Sequence, residues 1–490
     1  MKKILVLTLV SACALSFNTQ AQTATTPTAT KTLTFTEAIN TALKNGMLLN
    51  QQKNNLQLSQ TQKTQSLVAM GPTVTLNGNA YRVDGNSFNQ NTGTVINGIR
   101  DNVNGSINAN MNLFSGFNRI NSIRQYANLM DAQAYYVNRT TQDLINMVAT
   151  QYLQVMLDVE LMKIAKENFE ALDKQYQQVK EQVNLGARSP VDEYNQGALT
   201  KAAELRYVQA EITLNNDKTL LTQTLLIDPY EQYDVEKPNW DINKIGADNL
   251  SIQELADKAK SVRGDYLRAL KTENGYRFST AAARGNMMPS LSAFFTYGSA
   301  YNFQHGVPDS VQNSHYIIVT DPSAPSGYSL KNVNNPKLDI NQSVPRPFSE
   351  QFKVNNVYKQ YGFQLQIPVF NGLQNRTAYV QQKVLYENAI LTRKNLELQI
   401  TNEVIRAVKN YEGAKKSYSV SIDQYTAAEL ALQYESERYK LGVTNFVDFA
   451  NANRVFVQAQ TDRAQAEYRL LFQKVLVDYA VGTLKPEDLD

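Results

Sequence analysis

One cysteine, two histidines and one tryptophan are all that 490 residues carry of those types. The cysteine, Cys13, lies within the first 21 residues. A chain trimmed of that segment has no disulfide, no thiol nucleophile and no cysteine-bound metal. His305 and His315 stand apart from any carboxylate pattern in a Gly/Pro/Asn-rich stretch, so they read as loop residues and not as a metal site or a triad. A surplus of one charge is missing as well. With 48 basic and 45 acidic residues the formal charge is +3, falling to about +1 without Lys2 and Lys3, too little field to gather nucleic acid. No phosphate loop, metal cluster or activated nucleophile appears, which leaves an enzymatic reading weakest, with no catalytic, cofactor or metal residue to name.

Beyond the N-terminal segment no apolar run reaches the roughly 18 to 20 residues of a membrane-crossing helix. If the chain crosses a bilayer, it must do so with strands. The N-terminal segment itself has Lys2 and Lys3, an apolar stretch from Ile4 to about Phe17, and Thr19-Gln20-Ala21 as a small-residue cleavage site, the pattern of an export signal over 1–21. Val10-Ser11-Ala12-Cys13 offers a rival route in which Cys13 is acylated, although apolar Ala14, Leu15 and Phe17 continue past it.

What is present is a duplication. Leu33-Thr34-Phe35-Thr36-Glu37 matches Leu250-Ser251-Ile252-Gln253-Glu254 at an offset of 217, as Pro72 matches Pro289. Phe114-Ser115-Gly116 matches Phe370-Asn371-Gly372 at an offset of 256, as do Leu185-Gly186 with Leu441-Gly442 and Val191-Asp192 with Val447-Asp448. The jump places a 39-residue insertion between Pro289 and Phe370. We therefore divide the chain into a flexible tail at 22–32, repeat 1 at 33–230 with a β-hairpin at about 73–114, and a connector at 231–249. Repeat 2 follows at 250–483 with a hairpin at about 290–370, then a C-terminal tail at 484–490. Six prolines among many Asn, Ser and Gly make 305–356 a long loop.

Each copy predicts a medium helix, two strands, a very long helix, a sharp turn and another medium helix. The ranges are 36–69, 73–84, 99–114, 117–183 and 190–226, then 251–286, 290–303, 357–370, 373–439 and 445–483. At 1.5 Å per residue the long helix measures roughly 100 Å. Val148, Tyr152, Val155, Val159 and Met162, then Phe169, Leu172, Tyr176, Val179 and Val183, follow coiled-coil spacing, which is a packing seam before it is anything else.

The strands alternate. Ile107, Ala109, Met111 and Leu113 fall on one face, with Ser106, Asn108, Asn110 and Asn112 on the other; Phe363, Leu365, Ile367 and Val369 oppose Gly362, Gln364, Gln366 and Pro368. A soluble sandwich alternates too, yet uncharged polar residues on the second face suit a lipid-facing barrel with a wet interior. Four strands cannot close a barrel, and open edges in lipid leave backbone groups unpaired, so several copies must pool their strands.

The export signal, the duplication, the paired hairpins and the turns Asn184-Leu185-Gly186-Ala187 and Lys440-Leu441-Gly442-Val443, each followed by Val-Asp, together resemble the TolC-like outer-membrane efflux protein family over nearly the whole mature chain. The resemblance implies a mainly α fold with a membrane β-barrel. Long coiled-coil hairpins form an α-barrel, and four strands per protomer join a trimeric twelve-stranded barrel in the outer membrane above a periplasmic tunnel. It implies a passive exit duct for efflux or type I secretion, a homotrimer set in outer-membrane lipid. Its partners are a periplasmic adaptor resting near Leu185, Gly186, Leu441 and Gly442, and an inner-membrane pump of the RND or ABC type.

The family's entrance ring of acids falls on Asp448 and, three residues on, Asn451, giving a trimer three carboxylates instead of six. Its closed-state residues fall on Tyr439 and Asp192. The basic position is Thr444, while Arg188 fills the equivalent place in copy one. Helix capping competes with these roles: Ser189-x-x-Asp192 and Asn445-x-x-Asp448 put acids at helix starts, worth about 0.3 to 1 kcal/mol each. Gly186 and Gly442 serve as left-handed helix stops, and Phe114 and Phe370 as core or interfacial anchors. The competing function is a secreted coiled-coil scaffold or adhesin without channel activity.

Overall fold

A computed structural model describes residues 31–89, 94–228, 230–231, 233–236, 251–305, 316–332 and 347–484. The export signal with Cys13, most of the N-terminal tail, His315, most of the connector and residues 485–490 lie outside the described residues.

The elements of the first half are β1 (Lys31–Leu33), α1 (Phe35–Asn45), α2 (Met47–Val68), β2 (Thr73–Asn89), β3 (Thr94–Ser115), α3 (Asn118–Asn184), α4 (Pro190–Leu225) and β4 (Tyr233–Val235). The second half has α5 (Ile252–Val262), α6 (Gly264–Gly285), β5 (Ser290–Gln304), β6 (Tyr316–Thr320), β7 (Tyr328–Asn332), α7 (Phe348–Glu350), β8 (Tyr358–Gln366), α8 (Gln374–Lys440) and α9 (Phe446–Val481). Helix lengths recur: 67 residues in α3 and α8, 36 in α4 and α9, 22 in α2 and α6, and 11 in α1 and α5.

The single medium helix read at 36–69, and its mate at 251–286, is in each case two helices. The break falls at Gly46 (ψ 111°) and at Arg263 (ψ 124°), positions related by the offset of 217. An isolated glycine is a weak helix breaker and arginine is none, so tertiary packing makes these corners. Both short helices begin with a capping box, Thr34 with Glu37 and Ser251 with Glu254.

Four strands form one antiparallel sheet in the order β2-β3-β5-β8. In the same order α2, α3, α6 and α8 pack side by side, so every strand continues into one helix of the layer below. Register places Leu76, Ile107 and Tyr297 on one face, with Val103, Ala109, Phe295, Phe363 and Leu365. Leu76 and Phe363 are 80% and 74% exposed there. The opposite face carries Thr75, Asn77, Asn108, Ser106, Thr296, Gln360 and Gln364. A bulge between Asn112 and Phe114 keeps Ser115 with Ser290 and Gln366 on this polar face. At the far end of the apolar face Arg82 makes a bidentate pair with Asp101 at 2.6 and 2.9 Å. Asp101 also meets His305 Nε2 at 3.1 Å. His305 therefore does have a carboxylate neighbour, 204 residues away in sequence, which no local pattern could have shown.

The 305–356 segment is not all loop. β6 and β7 pair as a small hairpin, and α7 runs into a π turn at Gln351–Asn355. That turn covers the part of β5 that β8 does not reach: Asn356 Nδ2 donates to the Ala300 carbonyl at 2.7 Å, and the Asn302 amide to Gln351 Oε1 at 3.3 Å. An otherwise open edge is thereby closed.

The helical layer has two cores related by the duplication. One joins Ile39 and Ala42 of α1, Val148, Tyr152 and Val155 of α3, Leu225 of α4 and Val475 of α9. The other joins Ala256 and Ala259 of α5, Val404 and Tyr411 of α8 and Val477 of α9. The first half of the coiled-coil seam read from the sequence, Val148 to Met162, lies in the first of these cores, with Val148, Tyr152 and Val155 wholly buried. Each fully buried aliphatic side chain of this kind contributes about 1.5 to 3 kcal/mol.

An acid interrupts the seam. Asp158 is buried at 4% exposure, where Gln154 Nε2 donates to its Oδ1 at 3.0 Å. Burial first, and the neighbouring Asp217 carboxyl of α4 second, push it up to about 7. A carboxyl raised above its unfolded value stabilises the fold below the unfolded pKa and loses that contribution as pH rises through about 7. Asp158→Asn is thus expected to unfold at a higher urea concentration than the wild type at pH 9, by a few kcal/mol in order of magnitude, with the gap closing toward pH 5. A gap of the same size at both pH values would contradict this.

Candidate functional site

The two helix hairpins end in matched turns. α3 stops at Leu185 and α8 at Leu441, each followed by a glycine in the left-handed region, Gly186 at φ 73° and Gly442 at φ 72°. The Ala187 amide returns to the Gln182 carbonyl at 2.8 Å and the Val443 amide to that of Arg438 at 2.9 Å, so each glycine closes its helix. The leucines are left outside, Leu185 at 76% and Leu441 at 77% exposure.

The helices after the turns start differently. At α4, Pro190 occupies the first turn and the Ser189 hydroxyl accepts from the Val191 amide at 3.2 Å. The Asp192 amide goes to the Ser189 carbonyl, so Ser189 caps the helix through Val191 and Asp192 lies in its first turn. At α9, Asn445 Oδ1 accepts from the Asp448 amide at 2.9 Å, and Thr444 Oγ1 donates to Asp448 Oδ2 at 3.1 Å. Thr444 therefore holds the acid of its own helix. Asp448 and Asn451 are both exposed, one turn apart.

Tyr439 draws the two hairpins together. Its ring is buried at 5% exposure and stacks on Phe449 with centroids 5.1 Å apart and planes at 15°. Phe446 meets it edge-on at 6.4 Å. Leu172 of α3 and Ala203 of α4 complete the cluster. Arg188, from the first turn, donates through Nη1 to the Tyr439 hydroxyl at 2.6 Å, with its Cζ 4.7 Å from the ring centroid. Such a contact is both a charge-assisted hydrogen bond and a cation–π interaction. Asp192 is half-buried, and its side chain makes no hydrogen bond or ion pair among the described residues. The structure brings Arg188, and not Asp192, to Tyr439. Phe446 and Phe449 went unnoticed in the sequence, although two aromatics three apart in the first turn of a helix form one face.

The sequence profile of the family described as outer membrane efflux protein matches residues 38–225 and 335–483, more than half of the chain. The chain belongs to the outer membrane efflux protein family. It is similar to the outer membrane protein TolC of Vibrio cholerae serotype O1, 21% identical over 359 residues that cover 71% of this chain and 70% of that protein. It is similar also to the outer membrane protein TolC of Escherichia coli strain K12, 22% identical over 355 residues covering 71% of this chain and 63% of that protein. Its fold is similar to the Campylobacter jejuni CmeC outer membrane channel, with a TM-score of 0.74, 15% identity, and coverage of 93% of this chain and 88% of that one. It is similar to VceC of Vibrio cholerae with a TM-score of 0.73, 13% identity, and coverage of 91% and 96%. As an outer membrane efflux protein the chain is an exit duct of an efflux system, and the scaffold or adhesin reading is set aside.

Proposed function

We propose that three copies assemble into one passive duct, their sheets closing a twelve-stranded barrel in the outer membrane and their helices a periplasmic tunnel. The observation that carries this is the sheet itself. Its order β2-β3-β5-β8 leaves β2 and β8 as free edges, with an exposed apolar face on one side and an uncharged polar face on the other. In lipid each unpaired edge group costs several kcal/mol. Pairing β2 of one copy with β8 of the next satisfies the edge groups along the 9 residues of β8, puts the apolar face to lipid and wets the polar one.

The hairpin turns then form the periplasmic entrance. Exposed Leu185 and Leu441 beside Gly186 and Gly442 offer small apolar tips to the hairpins of a periplasmic adaptor, which links the duct to an RND or ABC pump in the inner membrane. Asp448 and Asn451 line the narrowest part, and the bond from Arg188 to Tyr439 keeps it closed. Solutes pass without being transformed. The N-terminal segment 1–21 supports export by a signal peptide.

Protein reconstituted in planar bilayers tests this directly. Discrete, equal conductance steps are expected, and a bilayer that stays silent at saturating protein would contradict the duct. If Asp448 forms the constriction, a polyvalent cation added at the entrance should block the wild type at lower concentration than Asp448→Ala. Equal block of both would remove Asp448 from the pore.

A further inference from the structure

Where the sheet meets the helices, the polar face widens into a cradle of about 650 Å³ that touches α2, β3, α3, the end of α6, β5 and the start of α8. Ser115, Ser290 and Gln366, which share the polar face of the sheet, line its upper side. In the duct this is the lumen wall. Among the described residues that line it there is no carboxylate and a single charge, Arg119. Its partner in the duplication, at the offset of 256, is Asn375 on the same wall.

Arg119 donates through Nη1 to the carbonyl of Ala69, the residue that ends α2. It makes no ion pair among the described residues, so the rest of its guanidinium fork is unspent. Gln65, Ser122 and Tyr126 face the same space, and none uses its side-chain donor within the described residues. Both long helices also begin here without a capping side chain, α3 after Phe117 and α8 after Leu373, which adds the positive end of each helix dipole to the field of Arg119. A bare cation, neutral donors and no competing acid make a site whose chemistry selects an oxyanion.

We propose that this cradle holds the anionic group of a solute in transit, a carboxylate, sulfonate or phosphate, with Arg119 as the charged donor. The proposal rests on the duct reading above. It divides the labour along the duct: the exposed acid Asp448 meets cations at one end, and Arg119 retains anions at the other. Capping of α2 alone explains the contact with Ala69, but not a donor-rich, acid-free cradle around the remaining nitrogens.

The test is block of single-channel current by naphthalene-1,3,6-trisulfonate added on the barrel side at low salt. Arg119→Gln is expected to raise the half-blocking concentration about tenfold, while Arg119→Lys stays near the wild type. Ser122→Asp lies one helical turn from Arg119 and removes neither partner of the Ala69 contact. It is expected to weaken block at least as much, which keeps the test decisive if Arg119→Gln does not assemble. Half-blocking concentrations within twofold of the wild type in Ser122→Asp, or in a conducting Arg119→Gln, would overturn the anion site while leaving the duct standing. Wild-type protein that gives no conductance at all would overturn both.

Discussion

Arg263→Met is expected to destabilise the helical layer by on the order of 3 to 5 kcal/mol, more than any other single polar substitution considered above. The side chain is 1% exposed and sits in the corner between α5 and α6, where repeat 1 has Gly46. It pairs with Asp265 at 2.6 Å and Glu403 of α8 at 2.7 Å, and donates to the Ala480 carbonyl of α9 at 3.0 Å. One guanidinium thus ties α6, α8 and α9 together. Removing it leaves the Asp265 carboxylate, 22% exposed, with only the more distant Arg139 at 4.0 Å, whereas Glu403, 40% exposed, can turn to water.

The pH response should invert as well. Burial alone would raise Asp265, but the hydrogen bond and charge of Arg263, helped by Arg139, hold it below its ordinary value. A depressed carboxyl contributes stability above its unfolded pKa and loses it as pH falls through the folded pKa. In Arg263→Met burial dominates, so the same carboxyl should favour the acid side and the variant should lose stability as pH rises. Urea midpoints of the solubilised protein from pH 4 to 8 read both effects, and Arg263→Met with Asp265→Asn should recover most of the loss. A variant as stable as the wild type, or one with an unchanged pH slope, would show that Arg263 only fills space.

The second large effect is on the closed state. A hydrogen bond to a charged group is worth about 1.5 to 3 kcal/mol, so Tyr439→Phe or Arg188→Gln should raise the open fraction of each entrance about tenfold or more. Closed-state leak conductance in bilayers measures this. The double variant should leak no more than the larger single one, because both act through the same 2.6 Å contact. Asp192→Asn should change leak far less, since its side chain has no partner among the described residues. Strong leak from Asp192→Asn with none from Arg188→Gln would reverse the assignment and favour the arrangement that the family resemblance implied.

Much of the architecture was legible because it is periodic and repeated. The 67-residue helices, the glycine stops at Gly186 and Gly442, and the alternation around Ile107 and Phe363 are local patterns, and the duplication let each copy check the other. What was not legible depends on groups distant in sequence. Gly46 and Arg263 break helices because of what packs on them. His305 meets Asp101 across 204 positions, and Arg188 meets Tyr439 across 251. The hairpin of β6 and β7 hides in a stretch whose prolines read as loop. Of the residues that the family resemblance implied for an entrance, Thr444 bonds Asp448 of its own helix and Arg188 reaches Tyr439 from the other repeat, and local spacing shows neither partner.

The free edges of the sheet, β2 and β8, decide whether three copies close a barrel. Electron cryomicroscopy of the protein in lipid nanodiscs should show three copies with β2 of each hydrogen-bonded to β8 of its neighbour, a continuous wall at bilayer height and the Asn- and Ser-rich face inside. A particle whose four strands close on themselves or lie outside the bilayer would contradict it.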